Sequence, residues 1–383
     1  MIPLPNKIYK KVKFLIGKKK NIDDKPFPYL DKLVINYLSD LSSNLLSRND
    51  LRNFPDVSTF AFWCRKSNLK KIVINNSLDE LRVGLGLIYH NSPSNVPINF
   101  AYSLAFGLLS GNVSVVRVSS KYSESRLVII NELVKLLKKT KYKKIKNLIH
   151  LVQFEYDDEV NEFWISNADG KLIWGGDKTV LKMRSFKTKP RSREIVFPDR
   201  FSMCLINANK VLTTNDNNIK KLCENLYNDI YLLNQMACSS PQLFVWIGSN
   251  NIIKKSKNKI WGQLINIANR KNNIEPIEFM NKYVDICKTI ISNKNIKKIN
   301  IKNNLLYNVE LKSTENHNKK LRGYYGTLNE ISFNSISNLL PIIDEKCQTL
   351  TYFGYKKDYL KKFIVKNRLR GIDRIVPVGQ SVD

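Results

Sequence analysis

At 383 residues and 44.4 kDa the chain is long for one ordinary globular unit, so its core is expected to be spread over two lobes. With 43% hydrophobic and 10% aromatic residues it is not a disordered chain, and no apolar run approaches the ~18–20 residues that cross a bilayer. The net charge of +30, from 63 Lys and Arg against 33 Asp and Glu, points on its face to a polyanionic partner.

The first twenty residues carry charges where a secretory signal would be apolar, so a cytoplasmic protein is expected. Within them Ile8, Val12, Leu15 and Ile16 can share one helical face ringed by lysine, which reads either as a solvated surface helix or as one touching a membrane surface. Amphipathic spacing predicts helices over 29–47 and 57–69. The β-branched run Ile72 to Ile74 and the stretch Leu81 to His90 predict a hairpin near 72–90, suited to oligomerisation. Then come a helix over 99–109 ending at Gly111, strand 113–118, helix 123–139, strand 150–154, helix 157–168, strand 171–174, helix 179–186 and strand 203–206. Strands alternating with helices define a parallel sheet covered on both faces, and this makes an α/β first lobe over residues 1–208. The second lobe, 209–383, opens with a helix over 213–235, where Ile219, Leu222, Leu226, Ile230 and Leu233 keep helical spacing behind a Thr/Asn/Asp capping cluster. That helix stops at Ala237-Cys238-Ser239-Ser240-Pro241, and strand 242–247 follows at once. Two lysine-rich helices (252–271 and 278–292), an irregular stretch, strand 348–353, helix 357–367 and a last turn into a strand complete the chain.

The excess cations are mostly lysines dispersed beside Asn and Ile, densest over 7–20, 136–146 and 251–302, without a nucleic-acid-binding signature in any of these runs. No nucleic-acid partner is expected. The six cysteines (Cys64, Cys204, Cys223, Cys238, Cys287, Cys347) form no CxxC pair, and His90, His150 and His317 are scattered, so neither a disulfide framework nor a metal site is expected. A nucleophile, if there is one, is a cysteine. Cys238 sits at a helix-to-strand junction between small polar residues, where backbone N–H groups and nearby cations can favour the thiolate; a packed structural cysteine is the competing reading. In the loop His90-Asn91-Ser92-Pro93-Ser94-Asn95-Val96-Pro97, two prolines flank Asn95, whose amide is a non-titrating donor for an oxyanion or an ordinary turn residue. His90 is read as a strand-end structural histidine. The strand starting at Gly111-Asn112 ends in Arg117, Ser119 and Ser120, which reads either as the sheet edge where open parallel sheets bind nucleotides or as an ordinary exposed strand end. Gly84-Leu85-Gly86 lacks the third glycine of a dinucleotide fingerprint.

Together these segments resemble a known pattern. Asn95 to Pro97, the helix, Gly111-Asn112 and Arg117 are similar to the P-x-N-x-P and G-N-x-x-x-x-K-P-S stretches of the aldehyde dehydrogenase superfamily, and Trp174-Gly175-Gly176 stands at its F-T-G-S turn. Phe54 to Val57, Ala61 to Lys66, Pro93 to Pro97, Leu233 to Pro241, Gln348 to Gly354 and Arg370 to Gly379 resemble, in order, the LuxC-type acyl-CoA reductases, the reductase subunits of bacterial luminescence fatty-acid reductase complexes and their non-luminous relatives. The resemblance implies an aldehyde-dehydrogenase-like fold of two α/β lobes. It implies Cys238 as acyl-accepting nucleophile, Asn95 with the Cys238 N–H as oxyanion donors, and cofactor contacts from Arg117, Ser119, Ser120, Lys121, Gly175 and Gly176. The activity it implies is NAD(P)H-dependent reduction of an acyl-CoA or acyl-protein thioester to a fatty aldehyde, in a homo-oligomer served by acyl-protein synthetase and acyl-transferase subunits. An acylating or oxidising aldehyde dehydrogenase, or a non-catalytic scaffold in an acyl-transfer complex, are the alternatives.

Three departures from the superfamily pattern sharpen the expectation. The Glu-Leu-Gly-Gly whose glutamate activates water is replaced by Arg200-Phe201-Ser202-Met203-Cys204-Leu205, which favours reduction or transfer over hydrolysis. The glutamate after K-P-S is Ser120, between Arg117 and Lys121; a hydroxyl among cations accepts a 2′-phosphate that a carboxylate would repel, so NADPH is expected over NADH. The ribose-binding E-x-F-G-P is not visible near Arg322-Gly323-Tyr324-Tyr325-Gly326. The chain ends at Asp383, where such relatives are expected to continue into a further tail.

Overall fold

A computed structural model describes residues 1–17, 21–76, 81–271, 276–313 and 322–382. The chain forms two compact units, Met1–Asp199 and Arg200–Asp383.

In the first unit the elements run β1 (Ile2–Pro3), α1 (Asn6–Lys11), β2 (Lys13–Ile16), β3 (Asn21–Ile22), α2 (Lys32–Leu46), α3 (Pro55–Trp63), α4 (Lys66–Asn76), β4 (Leu87–Asn91), α5 (Asn99–Leu109), β5 (Val113–Arg117), α6 (Glu124–Leu137), β6 (Ile149–Gln153), α7 (Asp158–Asn167), β7 (Gly170–Trp174), α8 (Asp177–Arg184) and β8 (Arg193–Phe197). The six-stranded sheet has the order β2-β6-β5-β4-β7-β8, parallel except for β2. All five residues of β4 are buried, as expected of a central strand covered on both faces. The helices begin where a side chain can take an orphan N–H: Asp31 accepts from Leu33, Ser123 from Arg126 and Asp157 from Val160.

From β4 the chain steps outward to β5 and β6, then returns through α7 to place β7 on the other side of β4. That reversal creates a crevice outside the carboxyl ends of β4 and β7, the place where open α/β sheets take their ligands.

The second unit contains β9 (Phe201–Asn207), α9 (Ala208–Thr213), α10 (Asp216–Tyr231), β10 (Pro241–Ile247), α11 (Asn250–Lys271), α12 (Pro276–Ser292), β11 (Ile296–Lys302), β12 (Leu306–Leu311), β13 (Thr327–Phe333), β14 (Cys347–Phe353), α13 (Lys357–Lys366) and β15 (Arg374–Pro377). Its sheet order is β11-β12-β13-β10-β9-β14-β15, parallel apart from the β11–β12 hairpin. Both faces are apolar: Cys204, Ile206, Phe244 and Trp246 pack under α10 and α11, while Met203, Leu205, Leu243 and Val245 pack with Ile286 of α12 and Leu360 of α13.

Three expectations are corrected. The division falls after Asp199 rather than after residue 208, because β9 pairs with β10 and β14 in the middle of the second sheet. The hairpin near 72–90 does not form: Ile72 to Ile74 continue α4, and β4 pairs in parallel with β5 and β7, while residues 77–80 lie outside the described residues. The N-terminal run is not one helix, because after α1 the chain enters β2 against β6, and Ile8, Val12 and Ile16 are buried in the core of the first unit. His317 also lies outside the described residues.

Candidate active site

In the second unit, α10 ends at Tyr231 and the chain turns through Cys238 into β10. The turn is made by two consecutive left-handed residues, Asn234 (φ 52°) and Gln235 (φ 61°), a backbone conformation that non-glycine residues keep only when their surroundings impose it. Those surroundings are visible. The buried Gln235 amide donates to the carbonyls of Pro241 (3.0 Å) and Thr327 (3.0 Å) and accepts from the Gly326 N–H (3.1 Å). Gln242 donates to the Gln235 carbonyl (2.8 Å) and accepts from the Gly323 N–H (2.6 Å). Tyr325 N–H donates to the Asn234 carbonyl at 3.1 Å. On the other side the buried Ser202 hydroxyl donates to the Cys238 carbonyl (2.7 Å) and accepts from the Thr349 N–H (3.1 Å). The backbone around the thiol is therefore tied to β9, β10, β14 and the segment leading into β13.

Burial separates the cysteines. Cys64, Cys204, Cys223 and Cys347 are buried, Cys287 is half-buried and Cys238 is exposed. Desolvation raises the thiol pKa of Cys64 and Cys204 far above its ordinary value and pushes that of Cys223 up to about 12, which removes all three as thiolates at neutral pH.

In the first unit, the carboxyl ends of the strands gather around Asn91, a residue without an assigned role in the sequence pattern. Its amide donates to the Trp174 carbonyl at the end of β7 (3.4 Å) and its oxygen accepts from Arg117 at the end of β5 (3.2 Å). Arg117 is half-buried, donates also to the Phe154 carbonyl (3.5 Å) and lies over the Phe154 ring, 5.0 Å from its centroid. Ser119 accepts from the Lys121 N–H with its hydroxyl, and its carbonyl accepts from the buried Arg126 (2.7 Å) and from Gln153 (2.9 Å), while Ser120 and Lys121 are exposed. Asn95 is exposed on the loop between β4 and α5. Gly175 and Gly176 follow β7 and lead into α8; a Cβ on Gly175 would strike Thr179 at 2.9 Å, whereas one on Gly176 would meet nothing within 4 Å. The crevice thus has an open backbone turn at a helix start and exposed donors beyond β5, a donor set that fits the pyrophosphate and ribose of a dinucleotide. His90 is buried against Ser103 (2.8 Å), and desolvation lowers its pKa to about 3; it is a neutral packing residue.

The fold is that of the aldehyde dehydrogenases. Proline utilization A from Bradyrhizobium japonicum, in a mutant form, matches with a TM-score of 0.66 at 13% identity, over 91% of this chain and 39% of that one. Lactaldehyde dehydrogenase matches at 0.61 and 12%, over 90% and 78%, and the glyceraldehyde-3-phosphate dehydrogenase GapN from Methanocaldococcus jannaschii, complexed with NADP, at 0.61 and 13%, over 92% and 82%. The chain spans well under half the length of the proline utilization A proteins it matches. Within that class the sequence itself is decisive: residues 18–383 match the model of the acyl-CoA reductase (LuxC) family, and the chain belongs to that family. No curated protein sequence matches it.

Proposed function

We propose that the protein reduces a long-chain fatty acyl thioester, carried by CoA or by a protein, to the aldehyde with NADPH, through an acyl group held on Cys238. The observation that carries this reading is the exposed Cys238 on a turn fixed from several sides, in a chain of the acyl-CoA reductase family. The Cys238 thiolate attacks the thioester carbonyl carbon, the bond from that carbon to the carrier sulfur breaks, and the carrier leaves as a thiolate that takes up a proton. Asn95 and the Cys238 N–H are assigned the stabilisation of the tetrahedral oxyanion. Reduced nicotinamide, when bound, would supply the hydride that takes the enzyme thioester to the thiohemiacetal oxyanion. Its collapse releases the aldehyde and returns the Cys238 thiolate.

Hydrolysis of the acyl-enzyme would need a base to deprotonate water. The Ser202 hydroxyl, in the stretch that replaces the superfamily's glutamate, is committed to the Cys238 carbonyl and the Thr349 N–H. Arg117, Ser119, Ser120, Lys121, Gly175 and Gly176 are the proposed cofactor contacts. Acyl-protein synthetase and acyl-transferase subunits are the proposed suppliers of the acyl group, and a cytoplasmic homo-oligomer is the proposed form.

Purified protein given a long-chain acyl-CoA and NADPH is expected to oxidise NADPH and release aldehyde, and Cys238→Ala to lose this activity by at least ~10³-fold. Full activity in Cys238→Ala would overturn the mechanism.

A further inference from the structure

Lys282, on α12, is 2% exposed, and its ammonium is enclosed by three carbonyl oxygens: Asn304 (2.7 Å), Leu305 (2.9 Å) and Tyr325 (2.7 Å). It also stands 4.0 Å over the Tyr307 ring. An ammonium has three N–H bonds and here meets three acceptors, so the buried cation is fully satisfied. Burial draws its pKa down to about 7, and the three carbonyls oppose that by bonding the charged form.

Two of the three carbonyls, those of Asn304 and Tyr325, belong to left-handed residues. Asn303, Asn304 and Tyr325 are left-handed at φ 49°, 53° and 52°, and Gly326 follows at 82°. At Gly326 a Cβ would strike the Leu305 carbonyl at 2.3 Å, so the loop before β12 and the segment before β13 touch as closely as backbone allows. Such conformations persist only when something holds them, and Lys282 bonds to both segments. Tyr325 and Gly326 are also the residues whose N–H groups hold Asn234 and Gln235, the left-handed pair that turns the chain toward Cys238. From the ammonium to the turn the path is Lys282 to the Tyr325 carbonyl, through one peptide segment, to Asn234 and Gln235.

We infer that Lys282 is a positioning residue for Cys238: its ammonium fixes the Tyr325–Gly326 segment, which fixes the Asn234–Gln235 turn and with it the direction of the thiol. The inference rests on the proposed role of Cys238 as nucleophile. Lysine suits the position because a point cation can bond three converging oxygens, whereas the planar fork of arginine cannot and methionine would take a donor from all three, leaving Leu305 with the Tyr231 hydroxyl (3.1 Å).

The test is Lys282→Met in the full-length protein, with Gln235→Met cutting the same path from the other end. Two quantities are measured: the rate at which iodoacetamide labels Cys238, read by peptide mass spectrometry, and kcat and KM with acyl-CoA and NADPH. Both variants are expected to label Cys238 about 5-fold more slowly or worse at neutral pH, and to lose ~10–100-fold in kcat with KM nearly unchanged. The double variant is expected to fall well short of the product of the two losses. Wild-type labelling and kcat in a folded Lys282→Met overturn the inference, and if that variant does not fold, wild-type values in Gln235→Met do so. Slowed labelling combined with full turnover in Cys238→Ala would overturn the nucleophile reading while leaving the positioning intact.

Discussion

A 2′-phosphate is bound by cations and hydroxyls that have not already found partners inside the protein. Arg117 is half committed: its guanidinium bonds Asn91 and Phe154 and lies over an aromatic face. Ser120 and Lys121, three and four residues past the end of β5, are exposed and better placed to meet a phosphate. Ser120→Glu is therefore expected to shift the NADPH/NADH ratio of kcat/KM by ~10–100-fold toward NADH, since a like charge beside the phosphate is repulsive. An unchanged ratio in steady-state assays with the two cofactors would place the phosphate elsewhere. At this scale, what the sequence revealed depended on locality. Cys238 is legible because a cysteine among small polar residues at a helix-to-strand junction describes its own environment. Gln235 and Lys282 are not, because the partners that join them, Gly326 for Gln235 and Tyr325 for Lys282, lie 91 and 43 residues away and no local pattern marks them.

Elements were legible where hydrophobic period and length agree, and illegible where they conflict. The alternation through the first unit has both, and β5 to β7 with α5 to α7 fall where the periodicity puts them. The β-branched Ile72 to Ile74 was drawn toward strand by propensity, but continuity with α4 prevails there. The second unit's irregular stretch holds β11, β12 and β13. β11 is lysine-rich and mostly exposed, as an edge strand is, and three residues, 303–305, join it to β12, the first two of them left-handed. The N-terminal run shows the same conflict: its apolar positions are compatible with one amphipathic helix, but Ile8 falls in α1, Val12 after it and Leu15 and Ile16 in β2, with Ile8, Val12 and Ile16 buried. Ile8, 3% exposed, separates the two uses. Ile8→Asp is expected to destabilise the protein by roughly 2–4 kcal/mol in denaturant unfolding, because it buries an unpaired charge. Wild-type stability, together with lost association to anionic vesicles, would instead show that these residues face a membrane.

Charge belongs to the whole molecule. Some acidic residues serve two cations, as Glu159 does with Lys7 (2.7 Å) and Lys11 (2.9 Å), and the surplus of 30 positive charges is spread along the chain. A dispersed surplus builds no sequence-reading surface, but it does set a positive potential around the protein, and CoA thioesters and dinucleotides are polyanions. Such a field raises encounter rates and is screened within ~10 Å at 0.1 M salt. The kcat/KM for acyl-CoA is therefore expected to fall ~3–10-fold between about 50 and 300 mM NaCl, at the low end of steering effects because the surplus is dispersed along the sequence. The same acyl group on the uncharged carrier N-acetylcysteamine, with the nicotinamide cofactor held saturating, isolates the effect: its kcat/KM is expected to change less than about 2-fold over that range. Equal salt dependence for the two thioesters would mean that the +30 has no part in capturing the substrate, and that the lysines beyond those at the cofactor crevice act on solubility alone.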